Sequence, residues 1–376
     1  MVNKIEKIKA TLVEIPLKES FKGGTYEVTK RSVIITQIYT KEGLVSEVFC
    51  GDDRFRSPEI VTIINDIYQP YLIGQDASQI TKIWDNLFND FIKDITSQNR
   101  KYLRGTLIRA LSCIDIALWD ILGKSKNVPV IDLLGRKKDK LKVSTIGGYY
   151  QDGKGEKEII KEMELYKNLG YKACKFKIGK IDPTEDYKRV VAAKSNLESN
   201  FDLMVDANCG YSIQKATEFV NLSANLELRW LEEPCHWWDD INFMSELRNS
   251  SKIKIAAGQG EINHYGIKRM IEKKAIDVCN LDSFVCGGIT EWKRAANFCN
   301  KSGIEMAHHE EASIAAHLLG SEEEGTYVEI FANSERDPFH ERVWLNKPEI
   351  KNGFIDTPKQ PGLGVILDWD QIVKYS

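Results

Sequence analysis

From about Val143 onward the chain repeats one pattern eight times: a short apolar run, then a stretch with helical periodicity. The runs are VSTIGGYY (143–150), ACKFKI (173–178), FDLMVDA (201–207), LRWLEEP (228–234), IKIAAG (253–258), AIDVCNLD (275–282), GIEMAHH (303–309) and TYVEIF (326–331). Strands alternating with helices specify βαβ units and a parallel sheet. Eight such units predict a closed (β/α)8 barrel.

The residues before the repeat read differently. Lys4–Ile15 alternates, Arg31–Thr40 is β-branched, and Lys41-Glu42-Gly43 turns into Leu44–Cys50. That pair reads as a hairpin. Lys18–Lys30, with Gly23-Gly24, reads as an exposed loop, and helical periodicity follows over 57–68, 77–92 and 104–122. Strands followed by helices predict a first α+β domain. The expected division is the first domain over 1–130, the barrel over 131–332, and a segment over 333–376 that packs back on the first domain.

Charge and cysteine content narrow the function. Fifty-two basic against 55 acidic residues give −3, without the basic surplus of a nucleic-acid binder. No apolar run approaches the roughly 18 residues of a membrane helix. Eight cysteines in 376 residues, none in a C-x-x-C pair, are too sparse for a disulfide scaffold. They read as reduced, buried thiols of a cytoplasmic protein.

In such barrels the reactive side chains stand at the C-terminal ends of the strands. Lys177, Asp206, Glu232, Gln259, Asp282, His309 and Glu329 end successive runs, 20 to 29 residues apart. No core needs seven polar groups aimed at one mouth. Asp206 and Glu232 on adjacent strands suit a hard divalent cation such as Mg²⁺, which prefers carboxylate oxygens. Lys175 and Lys177 share one strand face, the barrel interior, because Phe176 and Ile178 belong to the helix layer. A lysine beside a dication should have its pKa lowered toward neutrality, which suits a general base. His309 follows the seventh run, and Asp282 on the neighbouring strand can fix its tautomer and raise its basicity. His308 faces the other way, and His317 on the next helix is structural. The HHEE string lacks the second His of a zinc HExxH motif, which argues against a zinc hydrolase.

Together K-F-K (175–177), D-A-N (206–208), E-E-P (232–234), D-S-F-V-C-G-G (282–288), A-H-H-E-E (307–311) and Y-V-E (327–329) resemble the enolase superfamily, in its mandelate racemase subgroup. IDIALWDILGK (114–124) followed by LLG resembles the end of the family's cap. The resemblance covers nearly the whole chain. It implies a modified (β/α)7β barrel and one Mg²⁺ per subunit holding a carboxylate substrate. The α-proton of that substrate is lost to an enediolate. Lys177 matches the base on one face, and His309 with Asp282 the acid/base on the other. Lys175 matches the lysine on the substrate carboxylate, and Glu329 a residue bonded to the enediolate oxygen. The resemblance also implies a homo-oligomer, an octamer or a dimer.

One position departs from the pattern. The third metal ligand of the family is a Glu directly after the glycine that ends the fifth strand; here Gln259 stands there, in A-A-G-Q-G-E. Glu261, two residues on, faces the same way in extended backbone and is the expected replacement, with the Gln259 amide oxygen as the alternative. Lys22 and Tyr26 of the first cap loop, the loop 51–56 (GDDRFR), Asn208, Gln259 and His236 with Trp237 and Trp238 are the expected substrate contacts. Acid-sugar dehydration to a 2-keto-3-deoxy acid is the expected reaction. Racemisation, epimerisation and lactone cycloisomerisation are the alternatives, and a non-catalytic ligand-binding barrel is a further one.

Overall fold

The computed structural model describes residues 3–93, 101–238 and 240–376. The cap begins with an antiparallel sheet of β1 (Ile5–Lys22), β2 (Glu27–Thr40) and β3 (Val48–Cys50). Val13 pairs with Val33, and Ile34 with Cys50. The three predicted helical stretches form, two of them relaxing into π-helical turns at 63–68 and 88–92. The third, Arg104–Lys126, is the long helix behind the sheet and ends at Asn127 in a left-handed conformation. It is buried nearly all round because it lies between cap and barrel. Asp115 accepts from the backbone N–H (2.9 Å) and hydroxyl (2.6 Å) of Thr290, and Asp120 from the N–H of Leu363 (2.7 Å).

Each of the eight runs contains a strand: β4 (Lys140–Gly147), β5 (Ala173–Lys177), β6 (Asp202–Asp206), β7 (Leu231–Glu232), β8 (Ile255–Ala257), β9 (Val278–Asn280), β10 (Glu305–Ala307) and β11 (Tyr327–Glu329). All pair in parallel, in the order β10-β9-β8-β7-β6-β5-β4-β11. A single bridge, Met306 to Gly325, joins the remaining seam, so the barrel is nearly closed. Helices follow β4 to β10 in turn, whereas β11 leads into a short helix, Pro338–Arg342, and an irregular tail. In that tail β12 (Phe354–Asp356) adds antiparallel to β4. The helix Trp369–Tyr375 then lies on the cap, where the Trp369 indole donates to Glu47 (2.6 Å).

The stretch 18–30 is not an exposed loop. β1 and β2 run through it and leave only residues 23–26 as a turn. Phe21 and Val28 are buried with Ile146 and Tyr149, an apolar anchor that pulls the hairpin onto the barrel. The approach is close enough that a Cβ on Gly24 would lie 2.2 Å from the Ala207 carbonyl oxygen. The Thr25 hydroxyl donates to the Asn208 carbonyl (2.8 Å).

All eight cysteines are free thiols, and only Cys209 is even partly accessible. No helix among the described residues is long and apolar enough to cross a membrane.

Candidate active site

The barrel interior is built in layers, because side chains along a strand alternate between inside and outside. Ala173, Met204, Trp230, Ala256, Val278, Ala307 and Tyr327 form a buried cluster of their own, separate from the main core. Two residues further along the same strands stand Lys175, Asp206, Glu232, Gly258, Asn280, His309 and Glu329. One apolar plug is therefore covered by one polar layer, open only toward the strands' C-terminal ends. Phe176, between the two lysines, packs in the outer core.

Lys177, Asp206 and Glu232 lie level, since Lys177 registers with Asp206 and Asp206 with Glu232. The Lys177 ammonium donates to Asp206 Oδ2 at 2.6 Å. Lys175 bridges Glu232 Oε1 (3.0 Å) and Glu329 Oε1 (2.5 Å). Asn208 donates to Asp206 from its backbone (2.8 Å) and its amide (2.9 Å). Asn280 (2.9 Å) and the Trp230 indole (3.1 Å) donate to Glu232. Burial pushes the Glu232 carboxyl up to about 7, against the pull of Lys175.

Lys177 departs from expectation. Burial works against its charge, but Asp206 beside it holds the ammonium well above its ordinary range. A lysine held this way stays protonated, and only engagement of the Asp206 charge elsewhere would release its proton. A hard cation on Asp206 and Glu232 would do that. Three buried amide oxygens, of Asn208, Gln259 and Asn280, lack any hydrogen-bond partner. Such orphaned acceptors are costly, and they are the donor type that completes an oxygen-rich cation site.

Glu261 does not join this group. Gly258 has φ +122°, and the Glu261 N–H bonds back to the Gly258 carbonyl (3.1 Å). The chain turns there, and the two-residue parity of an extended strand fails. The Glu261 carboxylate lies instead against Gly266, where any Cβ would overlap it, and 3.8 Å from Arg269. Among the described residues no three His, Cys, Asp or Glu side chains converge as a metal cage. Asp206, Glu232 and the unpaired amide oxygens are the oxygen groups that would remain for a cation. Glu233, unassigned from sequence, anchors this corner. It is buried at φ +40° and accepts from the N–H groups of Gly258 (2.9 Å) and Gln259 (3.3 Å).

The opposite face carries His309, whose Nδ1 donates to Asp282 Oδ2 at 3.0 Å. Burial depresses its pKa, but the Asp282 hydrogen bond and the Glu310 charge outweigh this and raise it. His308 turns away to Ser283 (2.8 Å). His317 accepts from the Ile131 N–H (3.0 Å), and burial holds it neutral, at about 4. Behind His309 lies a buried ionic cluster. Arg31 of β2 meets Glu310 (2.9 Å), Asp52 (3.1 Å), Glu311 (3.1 Å) and Asp337 (3.4 Å), and Arg336 stands 3.6 Å from Glu310. The one signal for it in the sequence is a charge opening the apolar run RSVII.

Of the expected substrate contacts, Tyr26 lies over the site, its ring centroid 5.5 Å from the Lys177 nitrogen. Asn208 caps Asp206. His236 sits on the rim, bonded to the Cys209 carbonyl (2.9 Å) and stacked on Trp238 (4.3 Å). Lys22 stands at the end of β1, its backbone bridging to Tyr150, and its ammonium takes no part in the bonds described above.

Comparison with known proteins agrees with this architecture. Residues 7–135 match the mandelate racemase / muconate lactonizing enzyme N-terminal domain, and residues 158–371 the enolase C-terminal domain-like family. An arabinonate dehydratase of Saccharolobus solfataricus is 26% identical over 89% of this chain and 88% of its own. A D-galactarolactone cycloisomerase of Agrobacterium fabrum is 27% identical over 99% and 98%. A mandelate racemase/muconate lactonizing enzyme from a marine actinobacterium, solved in complex with magnesium, superposes with a TM-score of 0.90. It is 34% identical over 99% of both chains. With both halves matched, the chain belongs to the mandelate racemase / muconate lactonizing enzyme family of the enolase superfamily.

Proposed function

We propose that this protein is a Mg²⁺-dependent dehydratase of an acid sugar, an aldonate or aldarate, releasing a 2-keto-3-deoxy acid. The observation that carries the reading is a lysine and an Asp-backed histidine on two sides of a buried pair of carboxylates. Asp206, Glu232 and the Gln259 amide oxygen would hold the metal. When bound, the ion supplies positive charge at the substrate carboxylate and takes up the Asp206 charge that otherwise keeps Lys177 protonated.

The chain's own groups do the rest. Lys175 meets the substrate carboxylate. Lys177 removes the α-proton on one face, and His309, with its raised pKa, protonates the departing β-hydroxyl on the other. Glu329, held by Lys175 and the Glu310 N–H (2.8 Å), stands beside the enediolate oxygen. Tyr26 covers Lys177 and limits water there. Arabinonate dehydratase among the relatives supports dehydration. The cycloisomerase at similar identity supports a second reading, lactone cycloisomerisation, in which the same two groups move protons without loss of water.

Purified protein with Mg²⁺ and a library of acid sugars tests this. The expected result is semicarbazone-positive product from one class of substrate. Solvent deuterium entering the α-position with no keto product would overturn dehydration in favour of epimerisation. A further measurement checks the metal set. Glu261→Gln is expected to leave Mn²⁺ affinity by calorimetry within about twofold, the range of a surface change. Gln259→Glu is expected to tighten it, since a carboxylate replaces a neutral ligand. Loss of affinity in Glu261→Gln alone would return Glu261 to the site.

A further inference from the structure

Strand β8 ends at Ala257, and the chain then leaves the sheet. Gly258 turns to φ +122°. The N–H groups of Gly258 and Gln259 both donate to one side-chain oxygen, Glu233 Oε1, at 2.9 and 3.3 Å. A strand end is usually held by its ladder; this one is held by a carboxylate from the loop next to it.

That carboxylate is tied on its other sides too. Glu233 Oε2 meets the Cys209 thiol at 3.7 Å, and the Glu233 carbonyl accepts from the Cys209 N–H at 2.8 Å. The Glu233 N–H donates to the Ala256 carbonyl at 2.9 Å. Glu233 therefore fastens the loops after β6, β7 and β8 to one another. Its own backbone is left-handed, at φ +40°, as are those of Asn208 and Cys209 across from it. Non-glycine residues in that region are costly, and they persist where surrounding contacts fix them.

The β8 loop carries the Gln259 amide, whose oxygen is buried without a hydrogen-bond partner. A neutral amide oxygen attracts a hard cation less than a carboxylate does, so its contribution depends on being held in place. Groups that orient a ligand from behind tune metal affinity in just this way.

We propose that Glu233 is a positioning residue: through the Gly258 and Gln259 N–H groups it holds the Gln259 amide oxygen toward Asp206 and Glu232. Divalent-cation affinity then depends on the reach of the Glu233 oxygen rather than on its charge. This rests on the metal ligands proposed above.

Calorimetry with Mn²⁺ on the purified protein separates reach from charge. Glu233→Asp keeps the charge and withdraws the oxygen by one methylene; affinity should fall by about ten- to a hundredfold, the range for a residue that orients a metal ligand. Glu233→Gln keeps a carbonyl oxygen at full reach without the charge, and should retain most of the affinity. The reverse order, or equal affinities in the two variants, overturns the proposal. A double-mutant cycle tests the route. Gln259→Ala should weaken binding by itself, and Glu233→Asp should then cost little more. Fully additive losses overturn the route through Gln259. Thermal unfolding shows whether each variant is folded. Unchanged affinity in Gln259→Ala removes Gln259 from the metal ligands, and the proposal with it. A wild type that binds no Mn²⁺ overturns the metal-dependent reading itself.

Discussion

Lys177→Ala and His309→Asn are each expected to lower turnover by about a hundred- to ten-thousandfold, while Mg²⁺ binding by calorimetry persists. Lys177 ends β5 level with Asp206, and His309 stands across the barrel mouth on Asp282. Neither is replaced by a neighbour of the right kind: Lys175 is committed to Glu232 and Glu329, and His308 to Ser283. A pH profile separates the roles. His309 delivers a proton in the proposed direction, so turnover should fall as pH rises through its raised pKa. Removing the carboxylate in Asp282→Asn withdraws part of what raises it, and the falling limb should move to lower pH. A limb that stays in place in Asp282→Asn, or undiminished turnover in either single variant, contradicts the assignment.

Arg31→Leu should produce the largest loss of stability, about 3–5 kcal/mol, as when one partner of a buried ion pair is removed. Four carboxylates surround that guanidinium, and the side chain is almost fully buried. Without it the carboxylates are left desolvated and mutually repelling. The sign of the pH effect follows. Arg31 helps hold the Glu310 carboxyl well below its usual range, which stabilises the native state above the unfolded pKa of about 4.3. That contribution is lost as pH falls through the lower, folded value. The gap in melting temperature between wild type and Arg31→Leu should therefore be wide near neutrality and narrow in acid. An unchanged melting temperature at pH 7 would show that the cluster carries no net stability.

The barrel could be read from the sequence because its strands are buried on both faces and stand out as continuous apolar runs. Their polar ends were legible for the same reason, since a lysine or carboxylate terminating such a run has no place in a core. What escaped depended on backbone direction or on partners distant in the chain. Glu261 was misplaced because the left-handed Gly258 breaks the alternation that the extended-strand argument assumed. The hairpin through 18–30 was missed because Phe21 and Val28 are separated by Lys22, two glycines and a polar turn, and Ile146, which covers them, lies more than a hundred residues away. Arg31 was hidden in an apolar strand with its counterions at 52, 310, 311 and 337.

The return of the tail to the cap bears on the order of assembly. The Trp369 to Glu47 hydrogen bond spans 322 residues, and Arg31 meets Asp337 across the same divide. During synthesis the cap strands emerge before the barrel, yet Asp337 and the covering helix are translated only after it. Contacts of such sequence separation form slowly, and the exposed surface left meanwhile is where a nascent chain self-associates. The cap strands are thus translated before the barrel yet completed only after it, and they stay partly uncovered for as long as the barrel takes to be made.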